Sequence, residues 1–212
     1  MGLILPALFY DRPTLEVLDD IIGKVLVHEV RGVRTSGAIV EAEAYVGEND
    51  PACHAAPGPT PRNRPLYGPP GHAYVYFNYG MHYLVNAVTE PKGAPAAILI
   101  RSLDPIEGVE VMRRRRTRRQ LHARVRAIAD ADLCRGPGNL TVALRIDLRQ
   151  NAADLTDGPL TIQDYGLRPD RLVRSKRIGI RVGTERDWRC CWEGKNVSGR
   201  PTDYRARRRM LV

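Results

Sequence analysis

Apolar and polar residues alternate along much of this chain with a period of two, and a few short helical stretches lie between. KVLVHEV (24–30) and AIVEAEAYV (38–46), separated by the polar RGVRTSG, predict a hairpin. AYVYFNYG (73–80) and HYLVNAVT (82–89) predict a second hairpin around a tight turn at Gly80-Met81. The almost wholly apolar AAILIRSL (96–103) predicts a strand at the sheet centre, and shorter strands are expected at 159–164 and 177–183. Helical signals appear three times. Asp11, Pro13 and Thr14 open a helix carrying Leu15, Leu18 and Ile22 on one stripe, with Gly23 as its stop. Asp104 as N-cap, Pro105 at the first helical position and Glu107 at capping-box spacing open another. Its inner edge is Ile106, Val109 and Met112, and its exposed end is an arginine run. LCRGPGNLTVALRI (133–146) predicts a third helix after a Gly-Pro-Gly turn. No regular strand–helix–strand alternation appears, so the expected fold is α+β with a mainly antiparallel sheet. It is expected as a single domain over residues 1–212, with an Arg-rich tail at 199–212.

Between Gly47 and His72 lies a stretch with seven prolines and no periodicity. Connections longer than about 15 residues are uncommon and usually functional, so this one is expected to build a site.

A hydrophobic fraction of 43% over 212 residues supports a real core and excludes wholesale disorder. No apolar run approaches the roughly 20 residues that cross a bilayer. The start, MGLILPALFYDRP, lacks a basic stretch and is broken by Pro6, so neither a secretory signal nor myristoylation is expected. The expectation is a soluble cytoplasmic protein, nucleoid-associated if bacterial, with no membrane contact.

Charge sharpens this picture. Lys+Arg 33 against Asp+Glu 24 gives +9, which suits a polyanionic partner. Only Lys24, Lys92, Lys176 and Lys195 are lysine, so the positive charge is nearly all arginine. It is clustered: eight arginines and no acid lie between Arg113 and Arg126, and five between Arg200 and Arg209, opposed only by Asp203. Nucleic acid is the expected partner. For Arg113–Arg126, a solvated helix end is the alternative. The cysteines at 53, 134, 190 and 191 form no CxxC and read as reduced thiols. A zinc site from Cys53, His54 and His72 has the wrong spacing, so no metal is expected.

Three constellations carry candidate chemistry. On a strand, EAEAY places Glu41, Glu43 and Tyr45 on one face and the small Ala42 and Ala44 on the other. Read alone, the acidic face is more often a solvated one; in a partly apolar pocket, a glutamate is a candidate general base. Tyr74, Tyr76, Tyr79 and Tyr83 crowd the second hairpin. Tyr79, Met81 and His82 at its tip suit a wedge entering a base stack, and Tyr74 and Tyr76 a stacking platform or packing under the proline loop. In the loop, His54 is a pocket wall, a proton carrier or an inert packed residue. Arg62 and Arg64 hold phosphates or lock the loop. Arg101 ends an apolar run and is costly to bury unpaired; a carboxylate such as Glu43 would satisfy it and stay ionised. Walker, GxGxxG, GxSxG and HExxH motifs are absent from the sequence.

In this order, IVEAEAYVG (39–47), ACHA (52–55), TPRNR (60–64), AYVYFNYGMHYLVN (73–86), AAILIRSLDPIEG (96–108) and LCRGPGNL (133–140) resemble the alkyladenine (3-methyladenine) DNA glycosylase family. RIGIRVG (177–183) adds a weaker match. The resemblance implies a curved sheet flanked by helices, with a protruding hairpin that enters DNA. It implies a monofunctional enzyme of base excision repair that acts on double-stranded DNA without a cofactor. Separately, a monomer is expected. The enzyme's substrates would be damaged purines of the 3-methyladenine, 7-methylguanine, hypoxanthine or ethenoadenine type. By the same resemblance, Glu43 is the base that deprotonates water. Arg101 and the backbone of Ile178 position that water. Tyr45, His54 and Tyr76 sandwich the flipped base, and Asn86 clashes with the 2-amino group of normal guanine. Tyr79 fills the gap left in the duplex. Read from the residues alone, Met81 is expected to enter beside it, and Arg62 and Arg64 to meet the DNA backbone. The segment with Cys190-Cys191, NVSG and the arginine tail departs from the family pattern.

Two rivals remain. A carbohydrate hydrolase would use Glu41 and Glu43 as a carboxylate pair, but side chains from one face of one strand cannot flank a sugar. A non-catalytic nucleic-acid-binding module would use the arginines and tyrosines only to grip.

Overall fold

The structure is a computed structural model that describes residues 2–118 and 127–199. The opening segment holds a two-residue strand β1 (Leu3–Ile4), a single turn α1 (Ala7–Tyr10) and α2 (Thr14–Asp20). The central strands are β2 (Val25–Val30), β3 (Val33–Val46), β4 (Ala73–Asn78), β5 (His82–Val88) and β6 (Ala96–Glu107). Helices α3 (Val109–Arg118) and α4 (Pro137–Leu144) follow, and then β7 (Leu160–Asp164), β8 (Leu172–Ser175) and β9 (Arg189–Trp192). Every pairing between these strands is antiparallel, in the order β1-β7-β2-β3-β6-β5-β4. The fold is α+β.

β3 is the spine. Val33–Ala38 pair with β2 and Glu41–Glu43 with β9 along one edge, and Ser36–Val46 pair with β6 along the other. Ala42 and Ala44 face the main core, where small side chains let α2 close on the sheet with Val17, Leu18 and Ile21. Met112 of α3 and Leu140, Ala143 and Leu144 of α4 join the same core. A second cluster of Cys53, Ala55, Leu66, Tyr74, Val88 and Ala97 lies under the proline-rich loop. That loop is ordered by side chains rather than by a ladder. Buried Asn63 donates to the carbonyls of His54 and Gly58, and its Oδ1 accepts from the Thr60 amide.

Several sequence expectations need correction. The first hairpin turns at Arg31-Gly32 rather than across RGVRTSG, so β3 starts at Val33. The α2 stripe is Thr14, Val17 and Leu18; Leu15 is exposed. Asp104, Pro105 and Glu107 open no helix. They continue β6, and Glu107 accepts from Arg34 and Ser36. The helix waits for Gly108, whose φ of +71° makes the break and where a Cβ would collide with Arg34 and Thr35. Ile106 is therefore exposed on a strand, whereas Met112 is buried and Val109 packs against the core. The third helix begins at Pro137, later than LCRG suggests. Residues 177–183 form an irregular loop instead of a strand, and β8 and β9 were not foreseen. The four cysteines are buried and free.

The arginine run is not simply a solvated helix end. Arg113 reaches the Ile128 carbonyl and Asp130, Arg115 the Ala143 carbonyl, and Arg116 the Leu133 carbonyl. Three arginines thus tie α3 to its neighbours, while Arg114 and Arg118 are exposed. Arg119, Arg124, Arg126 and the arginine tail from Arg200 lie outside the described residues.

Candidate active site

The site grows from two irregularities where β3 meets β6. The register slips between Ile39 and Glu41 and again between Glu41 and Ala42, so that Val40 and then Arg101 stand without a partner in the β3–β6 ladder. Bulges of this kind re-aim side chains. Here the second one lets a single guanidinium reach two carboxylates. Arg101 donates from Nε to Glu41 Oε1 and from Nη1 to Glu43 Oε2, each at 3.0 Å. The sequence pointed to Glu43 as Arg101's partner; the arginine in fact bridges both glutamates. Neither glutamate has any exposed surface, which corrects the reading of EAEAY as a solvated face.

Glu43 accepts three hydrogen bonds. Its Oε1 receives the Ile178 amide at 2.7 Å, and its Oε2 receives the Tyr45 hydroxyl at 2.9 Å as well as Arg101. Among the described residues, Oε1 therefore keeps a lone pair with no donor. Burial lifts the Glu43 carboxyl above the ordinary glutamate range, opposed by Arg101, the Ile178 amide and Tyr45. For Glu41 the balance tips the other way. Burial would raise it, but Arg101 and Arg189, the Ser198 amide and the Ser102 hydroxyl outweigh burial and hold it low. One strand thus carries a fixed anion and, two residues on, a carboxyl whose proton is closer to neutral pH.

Above Glu43 opens a cleft of about 310 Å³, a volume in the range of small-molecule sites. Tyr45, Arg101 and Ile178, the three donors to Glu43, all line it, so the acid lies directly beneath the cleft wall. His54, Tyr74, Tyr76, Tyr79 and Asn86 line it too. His54 and Tyr76 meet edge to face with centroids 4.5 Å apart, and Tyr74 lies 5.3 Å from Tyr76. His54 Nδ1 shares a hydrogen bond of 2.8 Å with the Tyr74 hydroxyl. Burial, with Arg62 nearby, lowers the His54 pKa and keeps its ring neutral near pH 7. Asn86 donates to the Tyr74 carbonyl, which fixes its amide in the wall. Tyr74 is buried in the second cluster and also lines the cleft, whereas Tyr83 is half-buried against the main core and serves packing alone. Cys53, His54 and His72 do not converge on one point. Cys53 accepts from the Ala55 amide, and His72 pairs across to Asp154.

At the rim stands the tip of the β4–β5 hairpin. Tyr79 sits at φ +49° and is 81% exposed, with Met81 at 60% beside it. A non-glycine residue in the left-handed region and two large exposed apolar side chains are both unfavourable in isolation. Arg62, near the same rim, lies over the Tyr76 ring and donates to the Phe77 carbonyl. Arg64 is exposed at the start of a 3₁₀ turn (Arg64–Tyr67).

Sequence reasoning missed several residues that hold this site. Arg177 is buried, forms a two-pronged pair with Asp50 and lies 4.7 Å over the Tyr45 ring, so it fixes both the 177–180 loop and a cleft wall. Ser102, Arg189 and Ser198 all serve Glu41. Arg177 and Asp50 had no local signal, since a pair so far apart in sequence is made by the fold. Arg189 had a weak one, a charge beside the apolar CCW.

Comparison with known proteins places the chain in a family. The model of the methylpurine-DNA glycosylase (MPG) family matches residues 8–196. A protein of Methanocella arvoryzae is 46% identical over 190 residues, covering 88% of this chain and 90% of that one. One from Clostridium acetobutylicum is 46% identical over 178 residues, with 84% and 86% covered. One from Burkholderia lata is 41% identical over 207 residues, with 96% and 95% covered. Each of the three is named "Putative 3-methyladenine DNA glycosylase".

Proposed function

The chain belongs to the methylpurine-DNA glycosylase family, enzymes that hydrolyse N-glycosidic bonds in DNA, and from that premise we propose that Glu43 activates the water that frees a damaged purine. The observation that carries this reading is the placement of Glu43. It is a buried carboxylate under an aromatic cleft, held by three donors that all belong to the cleft wall.

A purine cannot be cut from its sugar while stacked, so the nucleotide first rotates out of the duplex, at a cost of about a few kcal/mol. Tyr79 and Met81 enter the gap and stack in place of the lost base. Arg62 and Arg64 meet the phosphates alongside. The everted base lies between Tyr45 and the His54–Tyr76 pair. Alkylated purines such as 3-methyladenine are cationic, and electron-rich tyrosine faces attract them. A neutral His54 suits that guest, since an imidazolium would repel it. Asn86 stands where the 2-amino group of guanine would project and discriminates against the normal base.

The reacting water occupies the open lone pair of Glu43 Oε1. As its oxygen bonds to the anomeric carbon, its proton passes to Glu43 and the electrons of the N-glycosidic bond leave with the purine. Cationic purines depart neutral and are the easier substrates. Hypoxanthine and ethenoadenine, being neutral, need a proton in addition. No lysine lines the cleft among the described residues, so a covalent lysine intermediate has no candidate there and the product is an intact strand with an abasic site.

Strand scission after alkali tests this reading. On a duplex with one hypoxanthine or ethenoadenine, the parent should cut at that site and Glu43→Gln should not. Equal scission by the variant would contradict it, and so would binding without scission by the parent, the behaviour of a gripping module.

A further inference from the structure

Behind the reaction centre lies a cluster that the mechanism so far leaves unused. Glu41 is completely buried and accepts five hydrogen bonds. They come from Arg101 Nε at 3.0 Å, Ser102 Oγ at 2.7 Å, Arg189 Nε at 2.8 Å, and the Ser198 amide and hydroxyl at 2.6 and 2.8 Å. Ser198 also accepts from Arg101 Nη2 at 3.1 Å. All three guanidinium nitrogens of Arg101 are therefore spoken for: one by Glu43 and two by Glu41 and Ser198. Arg189 itself is anchored by Ser175 at 3.0 Å and the Gly199 carbonyl at 2.6 Å.

We propose that Glu41, gripped by Arg189 and Ser198, is a positioning residue that aims Arg101 at Glu43, and that residues 189–199 complete the reaction centre. The inference rests on the reading of Glu43 as the base. Glu41, Arg101 and Arg189 lie inside the family match, which ends at residue 196, and Ser198 lies two positions beyond it.

Two physical arguments carry it. The first is geometric. A guanidinium on a bulged strand has several rotamers, and fixing Nε and Nη2 leaves Nη1 one direction, toward Glu43 Oε2. Gly199 lies against the other support of Glu43 as well: a Cβ there would come within 2.5 Å of Ile178 Cδ1. The second is electrostatic. Glu41 and Glu43 against Arg101 and Arg189 make two anions and two cations, a neutral set when Glu43 is ionised. Without Arg189 the ionised set would carry a net negative charge in a buried site, which disfavours the active form of the base. The other groups facing Glu43 are Tyr45 on its own strand, Tyr76 from β4, Cys191 from β9 and Arg177 from the following loop. Of these only Arg177 is charged, and Asp50 neutralises it.

The test is the pH profile of single-turnover purine excision by the full chain. Arg189→Gln should move the acid limb upward by about one pH unit or more, and Arg189→Lys should bring much of it back. Glu41→Gln should move the limb downward, because a neighbouring anion is gone, while lowering the plateau. Ser198→Ala should lower the plateau about tenfold with lesion-duplex affinity kept, since it frees one end of Arg101. Parental profiles and plateaus in these variants would overturn the proposal. If Arg189→Gln and Glu41→Gln do not fold, an unchanged plateau in Ser198→Ala is sufficient to overturn it. Glu43→Gln separates the two readings. If it is inactive while the other variants match the parent, only the positioning role fails; if it is active, the base assignment fails first.

Discussion

Arg101 shows most clearly how much one side chain can decide. It is buried between two carboxylates, and breaking such a pair by deleting one partner usually costs about 3–5 kcal/mol, because the remaining charges stay buried. Arg101→Ala should therefore lose stability on that scale in chemical denaturation, and Arg101→Lys should lose less. Tyr45 separates shape from chemistry. Tyr45→Phe keeps the ring that walls the cleft and removes the hydroxyl that donates to Glu43 Oε2. Excision should slow about tenfold, with the acid limb moved up and lesion binding within about threefold of the parent. A variant with weakened binding and an unshifted limb would place the hydroxyl's role on the base rather than on Glu43. Because burial lifts the Glu43 pKa and the ionised form is the base, activity should fall as pH drops through that raised value.

At the scale of elements, the strands that build the site were readable from period-two patterning, and so was the hairpin that carries Tyr79. What escaped was whatever long-range pairing decides. Asp104-Pro105 has every local mark of a helix start, yet β3 recruits it into β6, and the chain breaks at Gly108 instead. Proline is tolerated there because β6 pairs with β5 only through Leu99 and earlier residues. The bulges at Val40 and Arg101 leave no signature in sequence, although they are what brings Arg101 within reach of both glutamates. β9 was invisible for a related reason: RCCW is four residues long and draws its meaning from the edge of β3 that it covers. The hairpin tip makes a prediction at this scale. Tyr79→Ala removes an exposed side chain that contributes little to the folded core, so thermal stability should stay near the parent's. Affinity for lesion-bearing duplex should fall by about 1–3 kcal/mol, the usual value of one aromatic–base stack, with single-strand affinity less affected. Equal losses on both substrates would argue against a wedge.

For the whole molecule, the net charge of +9 needs to be divided between scaffold and surface. Arg101, Arg177 and Arg189 are buried against Glu41, Glu43 and Asp50 and cancel them, and Arg113, Arg115 and Arg116 brace α3, so the count of arginines, though not the net charge, overstates what is offered to DNA. Arg62 and Arg64, both exposed, should each reduce the slope of log K against log salt by about one when changed to alanine, without altering lesion preference. Arg115→Ala should instead lower the melting temperature. Acid stability follows from the same buried pairs. The carboxyls of Glu41 and Asp50 lie below their ordinary ranges, so the stability they contribute is present above about pH 4 and is lost as pH falls through their depressed values. Thermal midpoints measured between pH 7 and pH 2.5 should drop at the acid end.

The measurement closest to the central claim is purine release by Glu43→Gln under single-turnover conditions, with the enzyme saturating a duplex that holds one lesion. Loss of a general base predicts a rate reduced by about 10²–10⁴-fold while duplex affinity stays near the parent's. A variant that releases the purine at the parental rate would show that some other group draws the proton from water.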